Sequence, residues 1–219
     1  MTLEATDAPK PPFAAEELRI LGCLLEKHLT TPNNYPLTLN SLMLACNQKS
    51  SREPLMNLKE GAVGRVAKDL GEAGWVAIQN SERAQRFEHR VTRRLKLTTQ
   101  QHAILAVLLL RRPQTLNEIK TRTERMAEFT GTDEIRDILD AWLSDAQPLV
   151  MRLPAGHGRR EDRYYHTLGT ETAEDLQDEI PSASATTTPA RHDDAYEALE
   201  ARIMALEQRL TALEANLGA

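Results

Sequence analysis

The chain predicts a mainly α-helical protein with small β-hairpins, built from two copies of one small unit and a C-terminal coiled-coil helix. Three observations predict it. Apolar residues recur at helical spacing through several short stretches. Twice, the third such stretch is followed by two β-prone runs around a polar turn. One apolar hexad also occurs twice, as Ile20-Leu-Gly-Cys-Leu-Leu25 and Ile104-Leu-Ala-Val-Leu-Leu109, 84 positions apart. Leu39-Asn-Ser-Leu42 echoes Leu116-Asn-Glu-Ile119 at an offset of 77, the first copy being longer by the loop at 30–36. Self-similarity at this spacing marks a duplicated unit.

In the first copy, residues 1–14 carry Pro9, Pro11 and Pro12 and read as a mobile lead-in. A helix over about 15–29 puts Leu18, Leu21, Leu25 and Leu29 on one face. Pro32, Asn33, Asn34 and Pro36 break it. A second helix covers about 38–46. Asn57 followed three residues later by Glu60 signals the start of a third, which runs to about 73 with Val63, Val66, Ala67 and Leu70 inward. Gly74 ends it. Residues 75–79 and 86–92 read as the two strands of a hairpin. Three helices and a hairpin around an aliphatic core is the order of a winged-helix domain, here at 15–97.

The second copy, at 98–168, repeats that order. Capping boxes at Thr98–Gln101 and Thr115–Glu118 open its first two helices, to about 110 and 126. Residues 131–145 form a third, with Ile135, Ile138, Leu139 and Trp142 inward. Residues 149–153 and 163–168 flank a hairpin tip containing Gly156 and Gly158. The Ser-, Ala- and Thr-rich stretch at 169–194 reads as a flexible acidic linker. Within 195–217, Tyr196, Leu199, Ile203, Leu206, Leu210, Leu213 and Leu217 alternate in steps of three and four. That is a heptad seam suited to a parallel two-stranded coil, and hence a homodimer. The seam spans only about three heptads, so folding back onto its own domains is the alternative.

The net charge of −5 hides an asymmetry. Residues 1–98 hold 14 basic against 11 acidic side chains, net +3, residues 99–168 balance at 10 each, and residues 169–219 hold 3 against 11, net −8. The acidity therefore lies in the tail and does not bar the first unit from an anionic partner. Cys23 and Cys46 sit among apolar residues without a CxxC pair, as small buried hydrophobes of a reducing compartment. No apolar segment near the N-terminus has signal-peptide character, and the longest apolar run, 104–110, is far too short to span a bilayer. A cytoplasmic location without membrane contact is expected.

Three segments carry a more specific likeness. Leu-Gly-Cys-Leu-Leu-Glu-Lys at 21–27, Thr-Thr-Pro-Asn-Asn-Tyr-Pro-Leu-Thr-Leu-Asn at 30–40 and Ala-Cys-Asn-Gln-Lys-Ser-Ser-Arg-Glu-Pro at 45–54 together resemble the YceH-like family of uncharacterised bacterial proteins. Arg112-Pro-Gln-Thr-Leu-Asn-Glu-Ile119 resembles its second-domain signature. The resemblance covers about 18–168 and implies a bacterial source and two winged-helix domains. It carries over no activity and no site residues.

For function, the pattern points to binding rather than catalysis. Winged helices commonly place the third helix in the major groove and the wing on phosphate. The third helix of the first unit exposes Arg65 and Lys68, and the wing and its exit carry Arg83, Arg86, Arg90, Arg93, Arg94 and Lys96. Six cations between positions 83 and 96 supply a salt-dependent attraction to duplex DNA. The alternative is a solvated, partly ion-paired hairpin. The third helix of the second unit exposes Asp133, Glu134, Asp137 and Asp140, which phosphate repels. That unit is expected to pack on its sister, another subunit or another protein. The polar run Asn47-Gln48-Lys49-Ser50-Ser51-Arg52 either meets phosphate or ties an irregular loop to the core. Tyr35 reads as a loop anchor.

His28, His89, His102, His157, His166 and His192 are scattered without an HExxH motif, and no Gly-rich phosphate loop follows a strand. No catalytic residue, metal site or cofactor is expected. Two functions remain: a DNA-binding protein, in the manner of a transcriptional regulator, acting through the first unit, or an assembly adaptor using the same surfaces for protein partners.

Overall fold

In a computed structural model, which describes residues 12–80, 84–156, 160–179 and 202, the apolar stripes become helices and both hairpins form. The first half contains α1 (Ala15–Thr30), β1 (Leu37–Thr38), α2 (Leu39–Cys46), α3 (Glu60–Glu72), β2 (Val76–Asn80), β3 (Gln85–His89) and a short α4 (Val91–Leu95). The second contains α5 (Thr99–Leu110), α6 (Leu116–Thr123), α7 (Thr132–Leu143), β4 (Val150–Leu153), β5 (Arg163–His166) and α8 (Ala173–Glu179). The molecule is mainly α, with small antiparallel sheets of three strands, ordered β1-β3-β2, and two strands, β4-β5.

Local chemistry explains the helix starts. Thr38 accepts from the Ser41 amide at 3.2 Å, so it caps α2. Thr98 and Thr115 each accept from the amide three residues on, and Gln101 and Glu118 each accept back at 2.9 Å. Both expected capping boxes are thus present. The Asn57 start is corrected: α3 begins at Glu60 with Lys59 as its cap. Asn47 is the reason. Its side chain donates to Leu58 O at 2.9 Å and accepts from Leu58 N at 2.8 Å, holding that backbone outside the helix.

The returning strand is also shorter than the sequence suggests. Arg90 N donates to Trp75 O at 2.7 Å, closing the ladder, and the chain then coils into α4. Lys96, at φ 52°, ends that helix in the left-handed region. Arg93 and Arg94, at the exit of the hairpin, therefore ride on a helix. β1 was unforeseen; its two residues pair with Phe87 and Arg86.

The halves join through α1 and α5. Gly22 makes the close approach possible. A Cβ there would lie 2.8 Å from Leu110 Cδ2 and 3.0 Å from Leu109 Cβ. One continuous core results, running from Ile20, Leu24 and Leu70 through Leu105 and Leu108 to Ile135 and Trp142. Cys23 and Cys46 are buried within it.

Two edges differ from the expected lead-in and linker. Phe13 is buried, meets Trp75 edge-on at 5.0 Å and donates its amide to Leu168 O at 2.8 Å. Residues 173–179, expected within the flexible linker, form α8, which seats Leu176 against Leu153 and Tyr165. Leu176 supplies the apolar anchor that a solvated linker lacks. Among the described residues no helix is long and apolar enough to cross a membrane. Of the expected dimer seam, Tyr196, Leu199, Ile203, Leu206, Leu210, Leu213 and Leu217 all lie outside the described residues.

Candidate functional site

The surface singled out from sequence begins on α3. Val63, Val66, Ala67 and Leu70 are buried, which turns Arg65 and Lys68 outward. Glu60, Asp69 and Glu72 are exposed as well, so this face is mixed in sign. The stronger cationic ground lies at the hairpin exit, where Arg90, Arg93 and Lys96 are exposed. Among the described residues no ion pair engages Arg65, Lys68, Arg90, Arg93 or Lys96.

Two of the expected cations serve the fold. Arg86 donates to Pro36 O at 2.9 Å, tying the hairpin to the loop before β1. Arg94 lays its guanidinium 4.3 Å over the Trp75 ring, close to the C-terminal carbonyls of α3. Arg83 lies outside the described residues.

Within the polar run at 47–52, Asn47, Gln48 and Arg52 tie the loop to the core. Arg52 is 2% and Glu26 5% exposed. Arg52 meets the Glu26 carboxylate with two parallel bonds, at 3.0 and 2.6 Å, and also donates to Gln48, Ala45 O and Ser51 O. All five guanidinium protons are thereby placed. Burial alone would push the Glu26 carboxyl up; the charges of Arg52 and Lys27 and the Arg52 hydrogen bonds outweigh it and hold it at about 2. Glu53 N donates to Leu110 O at 2.8 Å, so the same loop also grips α5.

The histidines are not scattered in space. His28 on the last turn of α1, His89 at the end of β3 and His102 in α5 bring one ligand atom each to within 4.8 Å of one another. His28 Nδ1 and His89 Nε2 face each other at 2.8 Å. His102 Nε2 lies 2.9 Å from Leu25 O; a carbonyl only accepts, so this nitrogen carries the proton. His102 Nδ1 keeps its lone pair, 3.3 Å from the Thr92 hydroxyl. Tyr35 stacks on His28 at 4.7 Å, and its hydroxyl accepts from His89 N at 2.7 Å. Tyr35 is thus the anchor expected, and what it anchors is this cluster.

His89 is 6% and His102 3% exposed, whereas His28 opens to solvent. Burial, then the neighbouring His102 and His28, hold His89 down at about 3. Burial and His28 outweigh the bond to Leu25 O and hold His102 at about 4. Both rings are neutral at pH 7. The sequence offers no local signal for this grouping, because the separations are 61 and 13 residues and only the α1–α5 packing closes them. Of the other histidines, His166 stacks on Tyr165 at 4.1 Å, and His157 and His192 lie outside the described residues.

Comparison with known proteins places these features in a family. Residues 13–159 match the family model described as "Protein of unknown function, DUF480". The UPF0502 protein of Azotobacter vinelandii is 49% identical over 199 residues, covering 90% of this chain and 87% of the relative. That of Pseudomonas syringae pv. tomato is 42% identical over 226 residues, covering 98% and 100%. A UPF0502 protein of Mesorhizobium japonicum is 43% identical over 209 residues, covering 95% and 96%. The chain belongs to this family of uncharacterised bacterial proteins, as the YceH-like resemblance implies.

Proposed function

We propose that this DUF480 family member is a DNA-binding protein with two winged-helix units, whose first unit meets duplex DNA. One observation carries the reading. The halves dock through α1 and α5, while α3 packs on α1, α2 and β2 and leaves Arg65 and Lys68 exposed. The face a recognition helix needs is therefore not spent on joining the halves. The order of elements and the strand pairing of β1 with the hairpin support the winged-helix assignment. The hairpin exit adds Arg90, Arg93 and Lys96, which suit phosphate contact. The mixed sign of α3 favours positioning on the backbone over a dense set of base contacts.

The second unit is assigned a protein partner. Its third helix exposes Asp133, Asp137 and Asp140, and Arg136 is already paired with Asp133 at 2.5 Å. The heptad pattern at 195–217, a feature of the sequence, is assigned to pairing two chains. No catalytic step is proposed.

The test is fluorescence anisotropy of a labelled mixed-sequence duplex at low salt, with the full chain and a variant carrying Arg65→Ala, Lys68→Ala, Arg90→Ala and Arg93→Ala. These four side chains are chosen because Arg86 and Arg94 also hold the fold. The expected result is a loss of affinity of about tenfold or more with an unchanged circular dichroism spectrum. Equal affinity for both proteins would refute contact through this face.

A further inference from the structure

We propose that His28, His89 and His102 form a three-imidazole site for a divalent late first-row transition cation, with zinc as the representative metal. The reading is independent of DNA binding. It starts from convergence: three separate elements each deliver one ring, and among the described residues this is the one group of metal-competent side chains. The donor set is all nitrogen. Such a set suits zinc, copper, nickel or cobalt and not magnesium or calcium, which require oxygen ligands.

The rings are also prepared for the task. A ligating histidine usually donates its second ring N–H to a carbonyl or carboxylate, which fixes the tautomer. His102 does this: Nε2 donates to Leu25 O, and the Nδ1 lone pair accepts from the Thr92 hydroxyl at 3.3 Å, a bond that a cation would replace. His28 is oriented by the flat stack on Tyr35, whose hydroxyl in turn holds the backbone of His89. His28 and His102 are thus each held by a contact outside the cluster, and His89 is held through its backbone amide.

The cluster is incomplete as a hydrogen-bonded assembly. His28 Nδ1 and His89 Nε2 stand 2.8 Å apart, so a proton must lie between their lone pairs. The remaining nitrogen of His89, Nδ1, is buried without a hydrogen-bond partner. A buried ring with an unsatisfied nitrogen is costly in a cluster that exists only to fill space. A cation takes the place of the shared proton. Metal–nitrogen bonds of about 2.0–2.1 Å put tetrahedral ligand nitrogens roughly 3.3 Å apart, so His28 and His89 open by about half an ångström. His28, on the solvent side, has room to move. That same side admits water to the fourth position, giving a site closed by protein on three sides and open on one. Binding moves the proton shared by His28 and His89 to the other nitrogen of the ring that carries it, so both rings ligate as neutral imidazoles.

The test uses the full chain, stripped with a chelator and titrated with ZnCl2 against a chromophoric chelator, beside His28→Gln, His89→Gln and His102→Gln. The expected result is one high-affinity equivalent per chain, weakened by about 10–100-fold or more in each variant. Because His89 and His102 are buried, thermal melts of His28→Gln supply the second reading. Each protein is compared with its own zinc-free melt, and His28→Gln lacks the zinc-induced rise in Tm that the parent shows. Failure to bind zinc would overturn the site. So would binding undiminished in all three variants, which places the metal on other side chains, or a full zinc-induced rise in Tm for His28→Gln.

Discussion

The two halves share an order of elements and differ in what they turn outward. Their inner faces are near copies: Ile20, Leu21 and Leu24 in α1 answer to Ile104, Leu105 and Leu108 in α5, and all are buried. Their third helices diverge. α3 exposes Arg65 and Lys68 among three acids, and α7 exposes Asp133, Asp137 and Asp140 around an arginine already paired. Core positions are held by packing, which tolerates little, whereas solvent-facing charge costs little to change. A duplicated fold can therefore keep its interior and divide its partners between halves.

The polar ties differ as well. The first half buries a fully satisfied Arg52–Glu26 pair; in the second, Arg112 meets Glu171 at a half-exposed site, with Tyr165 donating to the same carboxylate. The largest expected effect follows from this contrast. Arg52→Ala leaves the Glu26 carboxylate buried without its partner and should cost about 3–5 kcal/mol in urea unfolding. Arg112→Ala, screened by solvent, should cost below about 1 kcal/mol. Equal losses would mean that the two ties do the same work.

The same pair sets an acid dependence. The Glu26 carboxyl sits at about 2, below its ordinary value of 4.5. A depressed acid stabilises the fold fully above its unfolded value and loses that contribution as the pH falls through the folded one. Stability measured by thermal melts should therefore decline between about pH 4.5 and 2, and Glu26→Gln should flatten that part of the profile.

A smaller effect separates the two copies of the repeated hexad. Gly22 corresponds to Ala106 by the 84-residue offset. A methyl group at Gly22 meets Leu110 at 2.8 Å, so Gly22→Ala should destabilise by about 1 kcal/mol net, overpacking exceeding the gain in helix propensity. Ala106→Gly should cost a similar amount, about 1 kcal/mol, for the opposite reason, the loss of helix propensity and of a packed methyl. A stabilised Gly22→Ala would show that the α1–α5 contact is looser than described.

How far each half was readable follows from where its information lies. The apolar stripes of α1, α3 and α7 and the capping boxes at Thr98 and Thr115 are local patterns, and they appear where the sequence puts them. α4 was hidden because Val91 and Thr92 are β-branched and extend the strand pattern; the bond from Arg90 to Trp75, 15 residues away, ends the strand. β1 was hidden because two residues make no period and their partners lie almost 50 positions on. The Asn57 start was misplaced because Asn47 competes for the adjoining backbone. Of the candidate DNA face, the residues were readable but their duties were not: Arg86 and Arg94 look like Arg90 and Arg93 until Pro36 and Trp75 come into view. The histidine cluster had no local trace, since its members meet only after the halves pack.

The proposed division of partners is tested most directly by salt dependence. Binding to a labelled duplex should be measured across a salt series for the full chain, for the variant lacking Arg65, Lys68, Arg90 and Arg93, and for Arg152→Ala with Arg160→Ala in the second half. Each phosphate contact contributes a slope of about −0.9 in log affinity against log salt. The first-half variant should lose up to about four of those slope units, one per side chain removed, and the second-half variant should keep the parent slope. A parent slope retained by the first-half variant and lost by the second would contradict the account and move DNA contact to the other half.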